Sequence, residues 1–239
     1  MRTIADKTIL QRKLSESEFL SCFSFSIEQD IKLIYFDCNE FITVEGEELN
    51  QLYYLHSGKA KLFMTLPNGK TSLIDFFEAP CFIGEMELLG ITQHARAVQT
   101  LTPCYCFALP LHPYRKILLE DGQFLRKLSA YLATKNMRNT ISLSETKAFP
   151  LTNRLAAFIL LASHHDQYQE MHTNVADYLG VSYRHLLYVL AQFLEWGYLE
   201  KVNAMYVIKN RIALEQLANE MKAHSKGLQF YANMIQDTN

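Results

Sequence analysis

The run Ser182, Tyr183, Arg184, His185, Leu186, Leu187, Tyr188 gathers hydrogen-bonding, cationic and aromatic side chains within about two helical turns. At about 100° per residue, Leu186 falls with Val189, Leu190 and Phe193 on one apolar face. Arg184, Leu187, Tyr188 and Ala191 share the opposite stripe, flanked by Tyr183, His185 and Gln192. An arginine so placed can bind guanine O6 and N7 with two parallel hydrogen bonds, and an outward leucine matches a thymine methyl. Ser182 and the first-turn amides suit a phosphate oxygen, because the helix dipole puts partial positive charge there. The chemistry these residue types offer is readout of double-stranded DNA, not bond making or breaking.

The elements that must hold such a helix are written just before and after it. Thr173 is a good N-cap for a short preceding helix with Val175, Ala176 and Leu179 inward. Ala176 is small where two steeply crossing helices approach closely. Gly180 supplies a left-handed turn residue, Val181 sits beneath the turn, and Ser182 caps the second helix, expected over Tyr183 to Glu195. Trp196-Gly197 ends that helix. Tyr198 to Val202 and Met205 to Ile208 then read as a hairpin turning at Asn203-Ala204, the wing of a winged helix-turn-helix. Before the motif, Pro150 and Thr152 open an apolar helix through Leu155 to Ala162 that roofs the domain.

The chain has 239 residues, 49% of them hydrophobic and 20% charged, enough for two domains with cores of their own. Its net charge of −2 gives no global attraction to nucleic acid, so cationic and dipolar groups must act locally. From Ala148 on, seven Lys and Arg stand against eight Asp and Glu. That balance leaves a second reading open: a ligand-binding signalling module whose winged helix makes protein contacts. Met1 to Leu20 reads as neither signal peptide nor anchor, and no apolar run approaches a membrane span. The expectation is a cytoplasmic protein without membrane association.

All six prolines fall at or before Pro150 and most glycines at or before Gly90, so a β-rich first half precedes a helical second half. Ile31 to Phe36, Glu40 to Val44, Leu52 to Leu55, Lys59 to Met64 and Thr71 to Phe77 read as strands, with corners at Gly46 and Gly58. Asn68-Gly69 marks a hairpin between the last two. Such spacing suggests a double-sheet jelly roll. Beyond Tyr114, residues Ile117, Leu118, Phe124, Leu125, Leu128, Tyr131 and Leu132 recur at helical spacing with a break at Gly122. The stripe from Phe124 to Leu132 has no obvious use within its own domain for all its members, which predicts a homodimer through Gln123 to Ser144.

Three further runs extend the pattern. Glu40 to Glu47, Leu52 to Ala60 and Phe82-Ile83-Gly84-Glu85, together with the recognition-helix opening Val181 to Leu187, make the chain resemble the Crp/Fnr family over nearly its whole length. The resemblance implies an α+β fold: an N-terminal double-stranded β-helix of the cyclic-nucleotide-binding-like jelly-roll type over 1–113, a linker and dimerisation helix over 114–148, and a winged helix-turn-helix with a C-terminal helix over 149–239. It also implies an operator in double-stranded DNA and RNA polymerase as a further partner. Cyclic-AMP binders of the family follow the Phe-Gly-Glu run with an arginine–serine pair for the cyclic phosphate. In this chain Glu85 is present, but the corresponding stretch reads Gln93-His94-Ala95-Arg96-Ala97, and Glu87 replaces an expected glycine. A shift of one residue reverses the face on a strand. Glu85 and Arg96 therefore mark an effector pocket that has lost cyclic-nucleotide binding, its effector unidentified.

Other chemistry is thin. Five cysteines without zinc-ribbon or clustered iron–sulfur spacing read as buried thiols, although Cys104 and Cys106 share a strand face and a regulatory pair stays open. His56, His94 and His112 are unsuitably spaced for a cupin-type metal enzyme. No metal, no cofactor and no enzymatic activity are expected.

Overall fold

The computed structural model describes residues 1–221, apart from the side chains of 146 and 147. Two compact units divide between Ala133 and Thr134, inside the 114–148 segment expected to link the domains. The first contains β1 (Arg2–Ile4), α1 (Lys7–Ser15), a 3-10 turn (Leu20–Cys22), β2 (Lys32–Phe36), β3 (Phe41–Thr43), β4 (Gln51–Ser57), β5 (Lys59–Thr65), β6 (Thr71–Glu78), β7 (Cys81–Ile83), α2 (Glu85–Leu88), β8 (Ala97–Thr100), β9 (Cys104–Pro110), α3 (Leu111–Glu120) and the start of α4 (Gly122–Ala148). The second continues from α4 through α5 (Leu151–Ala162), β10 (Gln167–Tyr168), α6 (His172–Tyr178), α7 (Tyr183–Glu195), β11 (Leu199–Val202) and β12 (Met205–Ile208). A helix then occupies 211–221, and the remainder of the expected C-terminal helical segment lies outside the described residues. Among the described residues no helix is long and apolar enough to cross a membrane.

In the first unit two antiparallel sheets form a roll, ordered β1-β2-β9-β4-β7 and β3-β8-β5-β6. Apart from the exposed edge strand β1, the five-stranded sheet is buried on both faces. Leu33, Leu52, Tyr54, Phe82, Phe107 and Leu109 enter a core with the helices, including Leu14, Phe19, Leu118, Phe124 and Leu128. The alternate residues Ile34, Tyr53, Leu55, Cys81, Ile83, Cys106 and Ala108 enter a second core shared with Leu62, Phe77 and Val98 of the other sheet. This period of two explains why Leu52 to Leu55 is apolar without interruption: each strand supplies both cores. Gly58 turns β4 into β5 at φ +101°, where a Cβ would lie 2.6 Å from both Cys104 Sγ and the Pro103 carbonyl.

The apolar stripe of α4 is used inside its own unit, contrary to the expectation that part of it is spare. Phe124 and Leu128 are buried, and Leu125, Tyr131 and Leu132 pack against the same core. Phe23 stacks on Phe124 at 5.3 Å between ring centroids, and the Tyr131 hydroxyl donates to the Phe82 carbonyl at 3.0 Å. The roll offers a broad apolar face through Tyr54, Phe82 and Phe107, which captures the helix.

Asp121 fixes where α4 begins. It occupies the break expected at Gly122, and the glycine itself is the first helical residue. The carboxylate accepts from the Gln123 amide at 3.0 Å and from the Ser24 amide at 2.9 Å, tying the helix start to a loop 97 residues earlier. Burial works against ionisation, but the Ser24, Gln123 and Phe124 donors outweigh it and hold the carboxyl below its usual range. A depressed folded pKa contributes stability above the unfolded value of about 3.9 and loses it as pH falls through the folded value. Asp121→Ala is expected to cost about 0.5–2 kcal/mol at neutral pH, the usual loss for a helix cap. In urea denaturation this difference from wild type should shrink below about pH 4. An unchanged difference at pH 3 would mean that the carboxylate charge is not the anchor.

Candidate nucleic-acid interface

Residues 171–208 build the site. The helix α6 is followed by a turn in which Gly180 takes φ +63°, and the Gly180 and Val181 amides donate to the Asp177 and Ala176 carbonyls at 3.1 and 2.9 Å. Ser182 then accepts from the His185 amide at 3.2 Å and starts α7 at Tyr183, the residue expected from sequence. Val175, Ala176, Leu179, Leu186, Val189, Leu190 and Phe193 are buried. Two details differ. Thr173 is not the cap of α6 but lies inside it; Met171 holds the cap position without a side-chain hydrogen bond. The helix starts earlier because His172 packs against the rings of Tyr183 and Tyr206, at 6.3 and 5.8 Å, and is drawn into the first turn. Val181 is half-buried rather than buried, standing in the turn ahead of the first helical residue of α7.

Burying one stripe of α7 leaves the other in solvent. Ser182, Arg184, His185 and Ala191 are exposed, with Tyr183 at 49%, Leu187 at 37% and Tyr188 at 63% exposure. The Gln192 amide donates to the Tyr188 hydroxyl one turn away at 3.4 Å. Among the described residues no acidic side chain pairs with Arg184. The cations Lys209 and Arg211 are engaged instead, with Glu200 at 2.9 Å and Asp166 at 2.6 Å. The cationic character of this surface therefore concentrates on α7 and on Lys201 of β11.

The hairpin follows. β11 pairs with β12 in register from Leu199–Ile208 to Val202–Met205, and Asn203 takes φ +55° at the turn. A third strand, β10, pairs with β12. Only two residues long, it left no periodicity to read. His172 is the site neighbour that sequence reasoning missed. Burial, with Lys201 nearby, pushes its imidazole pKa down and favours the neutral ring between the two tyrosines.

The two residues assigned to an effector pocket differ in exposure. Glu85 is 3% exposed at the start of α2, after Gly84 at φ +99°. Ala95 is buried and Arg96 exposed, both just before β8 begins at Ala97. The Arg96 carbonyl accepts from Thr43 at 2.7 Å. Its guanidinium helps depress the Glu45 carboxyl, whose main cause is hydrogen bonding from Thr65. Cys104 and Cys106 do share a face, inside the roll. Burial pushes the Cys104 thiol up to about 11 and the Cys106 thiol well above its ordinary value, so both pack as neutral thiols.

Residues 33–121 match the cyclic nucleotide-binding domain family. Over 213 residues the chain is 52% identical to Regulatory protein YeiL of Escherichia coli O157:H7, covering 89% of this chain and 97% of that protein. It is 24% identical over 117 residues to the cAMP-activated global transcriptional regulator CRP of Escherichia coli O6:H1, covering 48% of this chain and 56% of that one. A CRP-family transcriptional regulator from Thermus thermophilus superposes with a TM-score of 0.61 at 21% identity, covering 78% of this chain and 96% of that structure. A crp/fnr-family regulator from Eubacterium rectale gives 0.66 at 15% identity, covering 81% and 92%. The chain belongs to the Crp/Fnr family of transcription regulators, on its identity to the YeiL protein and the fold of these structures.

Among the described residues beyond its chain neighbours, no heavy atom lies within 4 Å of a Cβ added at Gly180, so an alanine there meets only the strain of the left-handed backbone. Gly180→Ala is expected to cost about 1–2 kcal/mol, and a β-branched Val more. Ser182→Ala should cost about 1 kcal/mol through its cap. Thermal unfolding checks all three. A stabilising Gly180→Ala would contradict the left-handed turn.

Proposed function

We propose that the chain is a sequence-specific, homodimeric DNA-binding transcription regulator that does not respond to cyclic AMP. The observation that carries this is the outward stripe of α7: a serine-capped helix start presenting Arg184, His185, Leu187 and two tyrosines to solvent beside a hairpin. In this reading α6, the Gly180 turn, α7 and β11–β12 form a winged helix-turn-helix. Tyr183, Arg184, His185, Leu187 and Tyr188 face the major groove, and Ser182 with the first-turn amides holds a phosphate. Thr173, Ala176, Gly180 and Val181 are scaffold. The domains are 1–113 for sensing, 114–148 for linkage and dimerisation, and 149–239 for DNA. Leu143, 68% exposed on α4, supports pairing of two copies beyond the stretch taken up by the roll. Cytoplasmic location and contact with RNA polymerase belong to the same reading.

The loss of cyclic-nucleotide response rests on three residues. Ala95 is inward where the family's cyclic-AMP binders place an arginine, Arg96 is outward, and Glu87 adds negative charge beside Glu85, its carboxylate accepting from Thr92 at 3.1 Å. Whatever the effector, it can act only by binding one conformational state more tightly than the other.

The test is a titration of the full chain with an operator selected from random DNA, and with random-sequence DNA, at one fixed salt concentration. Arg184→Ala should weaken operator binding by about 1–3 kcal/mol and leave random-sequence binding nearly unchanged. Adding cyclic AMP should alter neither. An Arg184→Ala protein with full operator preference would show that α7 is not the reader. Operator affinity tightened by micromolar cyclic AMP would overturn the effector claim.

A further inference from the structure

Arg154 on α5 has an unusual pair of partners. Its Nη1 donates to the Leu179 carbonyl at 2.5 Å, and its Nε to the Phe149 carbonyl at 3.2 Å. Leu179 is the C-cap of α6, and its own amide turns back to the Val175 carbonyl. Phe149 stands at the end of α4, its amide donating to the Glu145 carbonyl. Both acceptors are thus last-turn carbonyls, which lack partners within their helices and carry the negative end of the helix dipole. One half-buried guanidinium lies across the ends of two helices. Burial pulls its pKa down, so these acceptors must offset the cost of taking the charge from water.

The position of the clamp matters more than its strength. Leu179 immediately precedes Gly180, and the turn from Gly180 to Ser182 is the sole covalent joint between α6 and α7. The Phe149 end precedes Pro150, which caps α5. We infer that Arg154 is a positioning residue for DNA readout: it ties the α4–α5 junction to the end of α6 and so sets the angle at which α7 is presented. The inference rests on the DNA-binding reading and adds a residue that touches no DNA. A planar fork is needed, because its nitrogens reach two carbonyls in fixed relative directions. A lysine supplies the charge but not the geometry.

Three variants of the full chain test this against the selected operator and random DNA at equal salt, at a temperature where each is folded. Arg154→Gln should lower the ratio of operator to random-sequence affinity at least about tenfold, the loss of one charge-assisted hydrogen bond. Arg154→Lys should recover part of it. The control is Asn153→Ala, the neighbouring residue on α5. The Asn153 amide donates to the Leu217 carbonyl at 3.0 Å and to Glu220 at 2.6 Å, so its loss should lower stability and leave the ratio unchanged. Hydrogen exchange supplies a readout independent of DNA: the Gly180 and Val181 amides should lose protection in Arg154→Gln but not in Asn153→Ala. An unchanged ratio in Arg154→Gln, or the same fall in both variants, overturns the inference, as does unchanged protection of the turn. If the wild type itself shows no sequence preference, the DNA-binding reading falls, and the exchange result still decides the role of Arg154.

Discussion

Burial of β2, β9, β4 and β7 on both faces of their sheet is the constraint from which the rest of the first unit follows. Tyr54, Phe82 and Phe107 face the helices while Tyr53, Ile83 and Cys106 face the second sheet. A strand so placed has no solvent side, and a one-residue slip would exchange the contents of two cores. The register is therefore fixed twice over. The helix-facing aromatics also decide what α4 does. Phe19 packs with Tyr54 and Phe107 at 4.8 and 5.2 Å, and Phe82 meets Phe124 and Tyr131 at 5.9 Å each. This face holds the first half of the long helix, and Asp121 sets its starting point.

The second unit solves a different problem. A recognition surface must be apolar enough on one side to be held and free enough on the other to meet a partner. In α7 the division is sharp: Leu186, Val189, Leu190 and Phe193 are buried, and the stripe through Arg184 and Tyr188 is open. The exposed face carries one cation among aromatic and apolar groups. On the proposed DNA-binding reading, affinity for phosphate would come from few charges and from backbone amides, and discrimination from shape, methyl contacts and a single bidentate arginine.

Much of this was legible in the sequence where a pattern is local. The Gly180 turn, the Ser182 cap, the span of α7 and the two hairpin strands each depend on residues within a few positions of one another. Doubly buried strands were harder. β7 is three residues long and buried throughout, β8 has only four residues and β10 two, so none announced itself. The apolar stripe of α4 was visible but its use was not, because Phe82 and Tyr54 lie dozens of residues away. The shift of the α6 cap from Thr173 to Met171 comes from His172 packing on Tyr206 of the hairpin. Arg154 was silent for the same reason: the carbonyl that it holds belongs to a residue 25 positions on.

The salt dependence of DNA binding tests the central claim most directly, because it separates a winged helix that binds DNA from one that binds protein. Neutralising phosphates releases counterions, and log K falls with log salt by about 0.9 per phosphate contacted. With one phosphate held by Lys201 and one by the start of α7 in each of two protomers, and Arg184 on a base, the operator slope should be roughly −3 to −4, and operator preference should persist as random DNA is released. A slope near zero, or equal affinity for operator and random DNA across the salt range, would contradict the account.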